Sequence, residues 1–253
     1  TNATKPTIPG TSDYFTVKGR LTITNPQLNA IWDVGKDKDI TWTREGLVGT
    51  VNLYYDYGSG FNPISGAQGI DSNLLKYTWN VPNNISNNVV VRIMSTIASE
   101  PDPTDSAAFR IAADIGLVYP AGGEVLIVDN PETIVWTKSG TIAQIRLKYD
   151  TNAGQDGYPN TIATLPAADL GYTWPVPDAI SDTARVRIED PAVGSYTEPQ
   201  ESGNFVIRGS ILVTSPTGIG VNKKIWICRE NRNINYTVHG SIANVQIRLS
   251  LDN

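Results

Sequence analysis

Ser12-Asp13-Tyr14-Phe15 returns as Ser106-Ala107-Ala108-Phe109 and again as Ser202-Gly203-Asn204-Phe205. The Phe-to-Phe steps are 109 − 15 = 94 and 205 − 109 = 96 residues. Other stretches keep the same period. Ile40-Thr41-Trp42 recurs as Ile134-Val135-Trp136 and, more loosely, as Ile234-Asn235-Tyr236. Trp79-Asn80-Val81-Pro82 recurs as Trp174-Pro175-Val176-Pro177, and Val91-Arg92-Ile93 as Val186-Arg187-Ile188. A fixed period of this length marks stacked copies of one structural unit. The expected organisation is a first repeat over 20–113, a second over 114–209 and a partial third over 210–253. Residues 1–19 read as a linker followed by the last strand of a preceding repeat, at 12–18.

Within the first repeat, alternating runs rich in Val, Ile, Thr, Tyr and Trp fall at Arg20–Thr24, Ala30–Trp32, Asp39–Thr43, Thr50–Asp56, Leu75–Trp79, Asn88–Met94 and Ala107–Ala112. Turn signals separate them, and none shows a helical period. Seven short strands in such a span predict an all-β chain of tandem immunoglobulin-like β-sandwich repeats, each about 95 residues long. Strand alternation points Val51, Leu53 and Tyr55 inward, with Ile145, Leu147 and Tyr149 matching them in the second repeat and Val245, Ile247 and Leu249 in the third. Trp42 and Trp136 sit where a sandwich buries one large side chain; the alternative is a sugar-stacking Trp. Ten residues separate Phe109 from Pro120 and Phe205 from Pro216, without a Gly/Ser run. The last strand of one repeat therefore feeds almost directly into the next, and a stiff rod or docked array is expected. Arg248–Asp252 aligns with Arg146–Asp150, so Thr151–Arg208 has no counterpart after Asn253. The chain reads as a window cut from a longer repeating protein.

The net charge is −5, from 20 Lys and Arg against 25 Asp and Glu. With no basic stripe, the electrostatic footprint of a nucleic-acid binder is missing. No apolar run approaches the ~20 residues of a transmembrane helix. The chain begins at Thr1 without an initiator Met or a signal peptide, so Thr1 reads as a processed or excised end. A single cysteine rules out an internal disulfide. Cys228, in Ile225-Trp226-Ile227-Cys228, reads as a small core or strand residue rather than a reactive thiol.

Catalytic signals are poor. The one histidine, His239, has no Cys or second His near it in sequence, and reads as a turn residue. No phosphate-binding Gly loop or nucleophile elbow is present, so no enzyme is expected. Carboxylates cluster at Asp33/Asp37/Asp39, Asp102/Asp105 and Glu189/Asp190. Calcium wants six to eight oxygens, and solvated loop charge is preferred here to a bound calcium ion. Asn-x-Ser/Thr sequons occur at Asn2, Asn84 and Asn235, and Asn84, in a Pro-Asn-Asn turn, is expected to be the most exposed. Tyr54, Tyr57 and Phe61 stand where the second repeat has Lys148, Thr151 and Gln155. An aromatic set present in one copy only is a candidate contact surface for a neighbouring domain, another subunit or a glycan; a locally repacked loop is the alternative.

The combined pattern is Ile/Val-x-x-Pro, a Trp or Leu six residues after that Pro, Ile-x-Trp-Thr, a Gly, a Val-x-Leu strand, Trp-x-Val-Pro, Val-Arg-Ile and a closing Ser-x-x-Phe-x-Ile. It resembles the immunoglobulin-like repeat of Ser/Thr-rich, GPI-anchored cell-wall proteins of the Kre9/Knh1 type, and similar repeats of microbial surface proteins. The third repeat departs from it, with Tyr236 in place of Trp and four extra residues before Ile225. The resemblance implies an extracellular, cell-surface role, structural or adhesive, in a surface layer, sheath, filament or stalk. It carries no catalytic residues. The partners it implies are other copies of the chain, further repeats and surface glycans. A polysaccharide-binding module and the non-catalytic region of a large secreted enzyme are the alternatives.

Overall fold

The computed structural model describes residues 13–14, 17–97, 101–217 and 225–250. Their regular structure is almost wholly strand. The first ten strands are β1 (Arg20–Asn25), β2 (Ile31–Asp33), β3 (Asp37–Glu45), β4 (Thr50–Asp56), β5 (Asn62–Pro63), β6 (Ile70–Asp71), β7 (Lys76–Asn80), β8 (Ser86–Ser95), β9 (Thr104–Asp105) and β10 (Phe109–Ala112). Next come β11 (Asp114–Tyr119), β12 (Val125–Ile127), β13 (Pro131–Ser139), β14 (Gln144–Asp150), β15 (Asn160–Pro166), β16 (Gly171–Pro175), β17 (Ser181–Glu189), β18 (Gln200–Glu201) and β19 (Phe205–Arg208). A final pair is β20 (Ser210–Ser215) and β21 (Asn235–His239). No helix among the described residues is long and apolar enough to cross a membrane.

Two compact units result, one holding nearly all of β1–β10 and the other β11–β21, with Asp33–Gly35 grouping with the second. In the first unit a three-stranded sheet, β1-β3-β7, faces a sheet ordered β2-β10-β8-β4-β5. In the second, β11-β13-β16 faces β12-β19-β17-β14-β15. Each is an immunoglobulin-like β-sandwich, and the two share one topology, with β5 and β6 of the first standing where the second has the single strand β15. The alternation expected of the central strands holds. Val51, Leu53, Ile145 and Leu147 are fully buried, and Tyr55 and Tyr149 are half-buried beside them.

Trp42 and Trp136 lie at the centre of the two cores, 2% and 1% exposed. Each also clamps a 3-10 turn that the strand pattern did not reveal, Ser72–Leu74 in the first unit and Ala167–Asp169 in the second. The indole Nε1 of Trp42 donates to Ser72 O at 3.0 Å, and that of Trp136 to Ala167 O at 3.1 Å. The Trp backbone N–H groups hold the turns' other ends, donating to Leu75 O (3.1 Å) and Leu170 O (3.2 Å). A buried indole N–H without an acceptor is costly, so the turn carbonyl is what lets this residue fill the core.

The third copy repeats the frame without the core. Val213 pairs with Tyr236 as Ile23 pairs with Trp42 and Leu117 with Trp136, and the register shifts one step later in all three. Yet Ile211 is 42% exposed where its counterpart Ile115 is 1%, and Tyr236 is 41% exposed. The expected inward strand at Val245, Ile247 and Leu249 is not formed. Residues 241–250 are in no strand, and Ile247 and Leu249 are exposed. A strand needs a ladder partner for its backbone groups, and no strand among the described residues pairs with this stretch. Cys228 also departs from expectation. It is an exposed turn residue rather than a core or strand one, because Ile225–Ile227, the counterpart of β12, lacks the parallel partner that β19 gives β12. Of the expected last strand at 12–18, the described residues Asp13, Tyr14, Val17 and Lys18 are in no strand, and the rest lies outside the described residues.

Trp42→Ala and Trp136→Ala should each cost about 3–5 kcal/mol of the stability of the unit that holds them. Tyr236→Ala, at a half-exposed site, should cost less than about 1 kcal/mol. Denaturant unfolding followed by tryptophan fluorescence checks this; equal losses at all three positions would contradict the burial pattern.

Candidate functional site

The aromatic set peculiar to the first copy is split by the structure. Tyr54 follows the outward parity of β4, registered opposite Arg92 and Pro63. Phe61, 37% exposed, lies under the Arg92 guanidinium, 3.8 Å from the ring centroid. That guanidinium is held in place by two bonds to Asp105, at 2.6 and 2.8 Å. Tyr57 turns the other way. It stacks on Tyr55, with centroids 5.7 Å apart and planes 27° apart, and Tyr55 in turn packs on Trp79 at 5.0 Å. The comparison of copies grouped Tyr57 with Tyr54 and Phe61 because it lies beyond the end of β4, yet it continues the alternation of Val51, Leu53 and Tyr55 and falls on Tyr55's side.

Tyr55 and Trp79 belong to a groove of ≈ 490 Å³ in the first unit. It lies between the edge strands β7 and β5 and is lined also by Asp37, Pro63, Ser65, Tyr77, Thr78, Asn80 and Pro82. Tyr77 Oη donates to Ser65 O at 2.8 Å, and Tyr55 Oη donates to Asn84 Oδ1 at 3.1 Å. Burial, and then the neighbouring Tyr57, push the Tyr55 hydroxyl above its ordinary pKa, so it remains a neutral donor across the physiological range. On the rim, Asn80 Nδ2 donates to Asp37 Oδ1 at 2.9 Å. Thr78 and Lys76 bind Asp39, at 2.6 and 3.0 Å. The Thr78 bond first and Lys76 second hold the Asp39 carboxyl below the ordinary range. The counterparts of Tyr55, Tyr77, Trp79 and Pro82 are Tyr149, Tyr172, Trp174 and Pro177. The counterparts of the rim pair Asp37 and Asn80 are Pro131 and Pro175, which face each other in the same register.

The acidic clusters are absorbed locally. Asp105 is taken by Arg92. Asp102 lies 3.4 Å from Lys18. Glu189 gathers Arg146, Arg187 and Lys148, at 2.8, 3.2 and 3.9 Å. Asp190 accepts from Ala192 N and Ser195 Oγ. Among the described residues no group of three His, Cys, Asp or Glu side chains could hold a metal ion. Two repeated carboxylates were not singled out from sequence. Asp150 is fully buried and accepts the backbone N–H groups of Asn152, Gly154 (3.1 Å) and Asp156 (3.2 Å). Its counterpart Asp56 accepts those of Gly58 (2.7 Å) and Gly60 (3.0 Å). An Asp at the same strand end in both copies was the available signal.

Of the sequons, Asn84 is half-buried and engaged by Tyr55, which corrects the expectation that it is the most exposed; Asn235 is exposed. Asn2 lies outside the described residues. His239 is the last residue of β21 rather than the turn residue expected, and its Nδ1 lies 3.2 Å from Asp129 Oδ2. Beside it, Asp178 accepts from Ser241 N at 2.9 Å and from Ser241 Oγ. Gly240 passes so close to Val128 and Gly209, at φ +86°, that a Cβ there would sit 3.1–3.2 Å from both. These contacts seat the third copy's hairpin against the second sandwich.

No family model matches the chain, and no curated protein sequence matches it. Solved structures similar to it include the fibronectin(III)-like modules of Clostridium thermocellum CbhA. They share 15% identity over 74% of this chain and 94% of that one, with a TM-score of 0.29. An ICAM-5 D1–D4 ectodomain fragment shares 14% identity over 78% of this chain and 56% of that one, with a TM-score of 0.29. The N-terminal four Ig domains of Dscam1 share 8% over 78% and 48%, also at 0.29. The sandwich assignment rests on strand order and register.

The Ser241 bonds hold the Asp178 carboxyl below its ordinary pKa. A depressed pKa in the folded state means the contact is complete above the unfolded value of about 3.9 and is lost as pH falls through the folded one. Read in a His239→Gln background, which removes the imidazole two residues away, the Ser241 amide resonance should therefore stay constant from pH 7 to about pH 4 and move only in more acidic solution. An Asp178→Asn variant should shift it already at pH 7. Asp150→Ala should cost the second unit about 1–3 kcal/mol by removing a buried carboxylate's bonds to three loop N–H groups, measured by denaturant unfolding; an unchanged midpoint would contradict the anchoring role.

Proposed function

We propose that the chain is a structural or adhesive segment of an extracellular microbial surface protein, working as an array of sandwich repeats without catalysis of its own. The observation that carries this reading is the pattern of what recurs. The bulge register is kept in all three copies and the Trp clamp and Asp loop anchor in both complete sandwiches, while His239 and the acidic clusters are engaged in local bonds that hold loops and the seated hairpin. The sequence resemblance to the Kre9/Knh1-type repeats supports placement at a cell wall, in a surface layer, sheath, filament or stalk. On this reading the repeats run over 20–113 and 114–209, with 210–253 a partial third, and the partners are further repeats and other copies of the chain. Asn235, exposed at the start of β21, is the better glycosylation acceptor of the two described sequons.

Antibodies raised against the chain should label intact producing cells, and protease treatment of those cells should release the antigen. Labelling that appears only after permeabilisation would overturn the surface assignment.

A further inference from the structure

The first copy's groove combines two kinds of surface. Its lining includes Tyr55, Tyr77 and the edge of the largely buried Trp79, with Tyr55 packed on Trp79 and, on its other side, stacked on Tyr57, which lies outside the lining itself. Its rim carries a carboxylate and an amide, Asp37 and Asn80, linked by one 2.9 Å hydrogen bond. The second copy shows which half of this the fold needs. It keeps the aromatics at 149, 172 and 174, so these serve the sandwich. It replaces Asp37, Asn80 and Tyr57 with Pro131, Pro175 and Thr151, so the fold does without the rim pair and the stacked ring.

We propose that this groove binds a pyranose ring of a polysaccharide. A pyranose has an apolar C–H face and an equatorial ring of hydroxyls. The aromatic wall offers the flat apolar partner for the first. A carboxylate that only accepts and an amide that both donates and accepts can bridge two adjacent hydroxyls. The groove's ≈ 490 Å³ falls in the range of small-ligand sites. It is open between two strand edges, so a polymer can pass through rather than end there. This deepens the adhesive reading and rests on it only for where the polymer is met.

The test uses the full chain. Retention on insoluble cellulose, chitin and β-1,3-glucan is measured together with affinity electrophoresis in xylan and mannan. The wild-type chain should be retained by at least one of these. The Asp37→Pro/Asn80→Pro variant, which installs the second copy's residues, should weaken that binding at least tenfold with the thermal unfolding profile unchanged. Asp37→Ala/Asn80→Ala should do the same and guards against a proline effect on β3 or β7. Tyr57→Thr should weaken binding severalfold. Absence of retention on all five polymers overturns the proposal, as does retention that neither rim variant reduces. Neither result bears on cell-surface labelling, so the groove and the surface assignment fail separately.

Discussion

A single hydrogen bond, from a tryptophan indole to the carbonyl of a 3-10 turn, holds the architecture together. Trp42 and Trp136 are the most fully buried tryptophans of their cores, and a buried indole N–H must find an acceptor. Ser72 O and Ala167 O supply it at 3.0 and 3.1 Å. The turns that present those carbonyls end at Leu75 and Leu170, both in the left-handed region at φ 56° and 57°. Leucine adopts that conformation only when its surroundings impose it. The backbone bonds from the Trp N–H groups to these same leucines supply that constraint. Core, turn and the strand that follows, β7 or β16, are thus set by one residue.

The third copy shows what this interaction contributes, because there it is missing. β20 and β21 keep the register of their counterparts, including the shift after Val213. The ladder and its register therefore form without a sandwich core around them. Tyr236 stands at the Trp position, but no 3-10 turn or opposing sheet covers it among the described residues. Its neighbours Ile211 and Val213 stay near half exposed. What holds this hairpin is its seat on the second sandwich, through Asp178–Ser241, Asp129–His239 and the close passage of Gly240. Ladder and seat are separable from core: the third copy has the first two and lacks the last.

Much of this was legible in the sequence, and the limits have physical causes. The period, the strand class and the inward parity of β4 and β14 follow from alternation and repetition, which are local signals. Thr50–Asp56 was located to the residue. The strand expected at Ala107–Ala112 begins only at Phe109, and the two-residue strands β5, β6 and β9 went unseen, since so short a run carries no alternation. The 3-10 turns escaped because they depend on a partner 30 residues away. Val245, Ile247 and Leu249 alternate well but have no strand to pair with; alternation reports a preference for a face and not the presence of its cover. At the groove, Tyr57 was noticed by comparing copies. Asp37 and Asn80 yield to the same comparison once register shows them facing each other.

Native-state hydrogen exchange of the full chain tests the central claim most directly, because it reads the clamp and the hairpin in one experiment. The account predicts that the amides of Trp42 and Trp136, bonded to Leu75 O and Leu170 O, are among the slowest to exchange in their units. It predicts that the Tyr236 and Val238 amides exchange orders of magnitude faster. Equal, strong protection of the third copy's hairpin, or rapid exchange at Trp42 and Trp136, would contradict it.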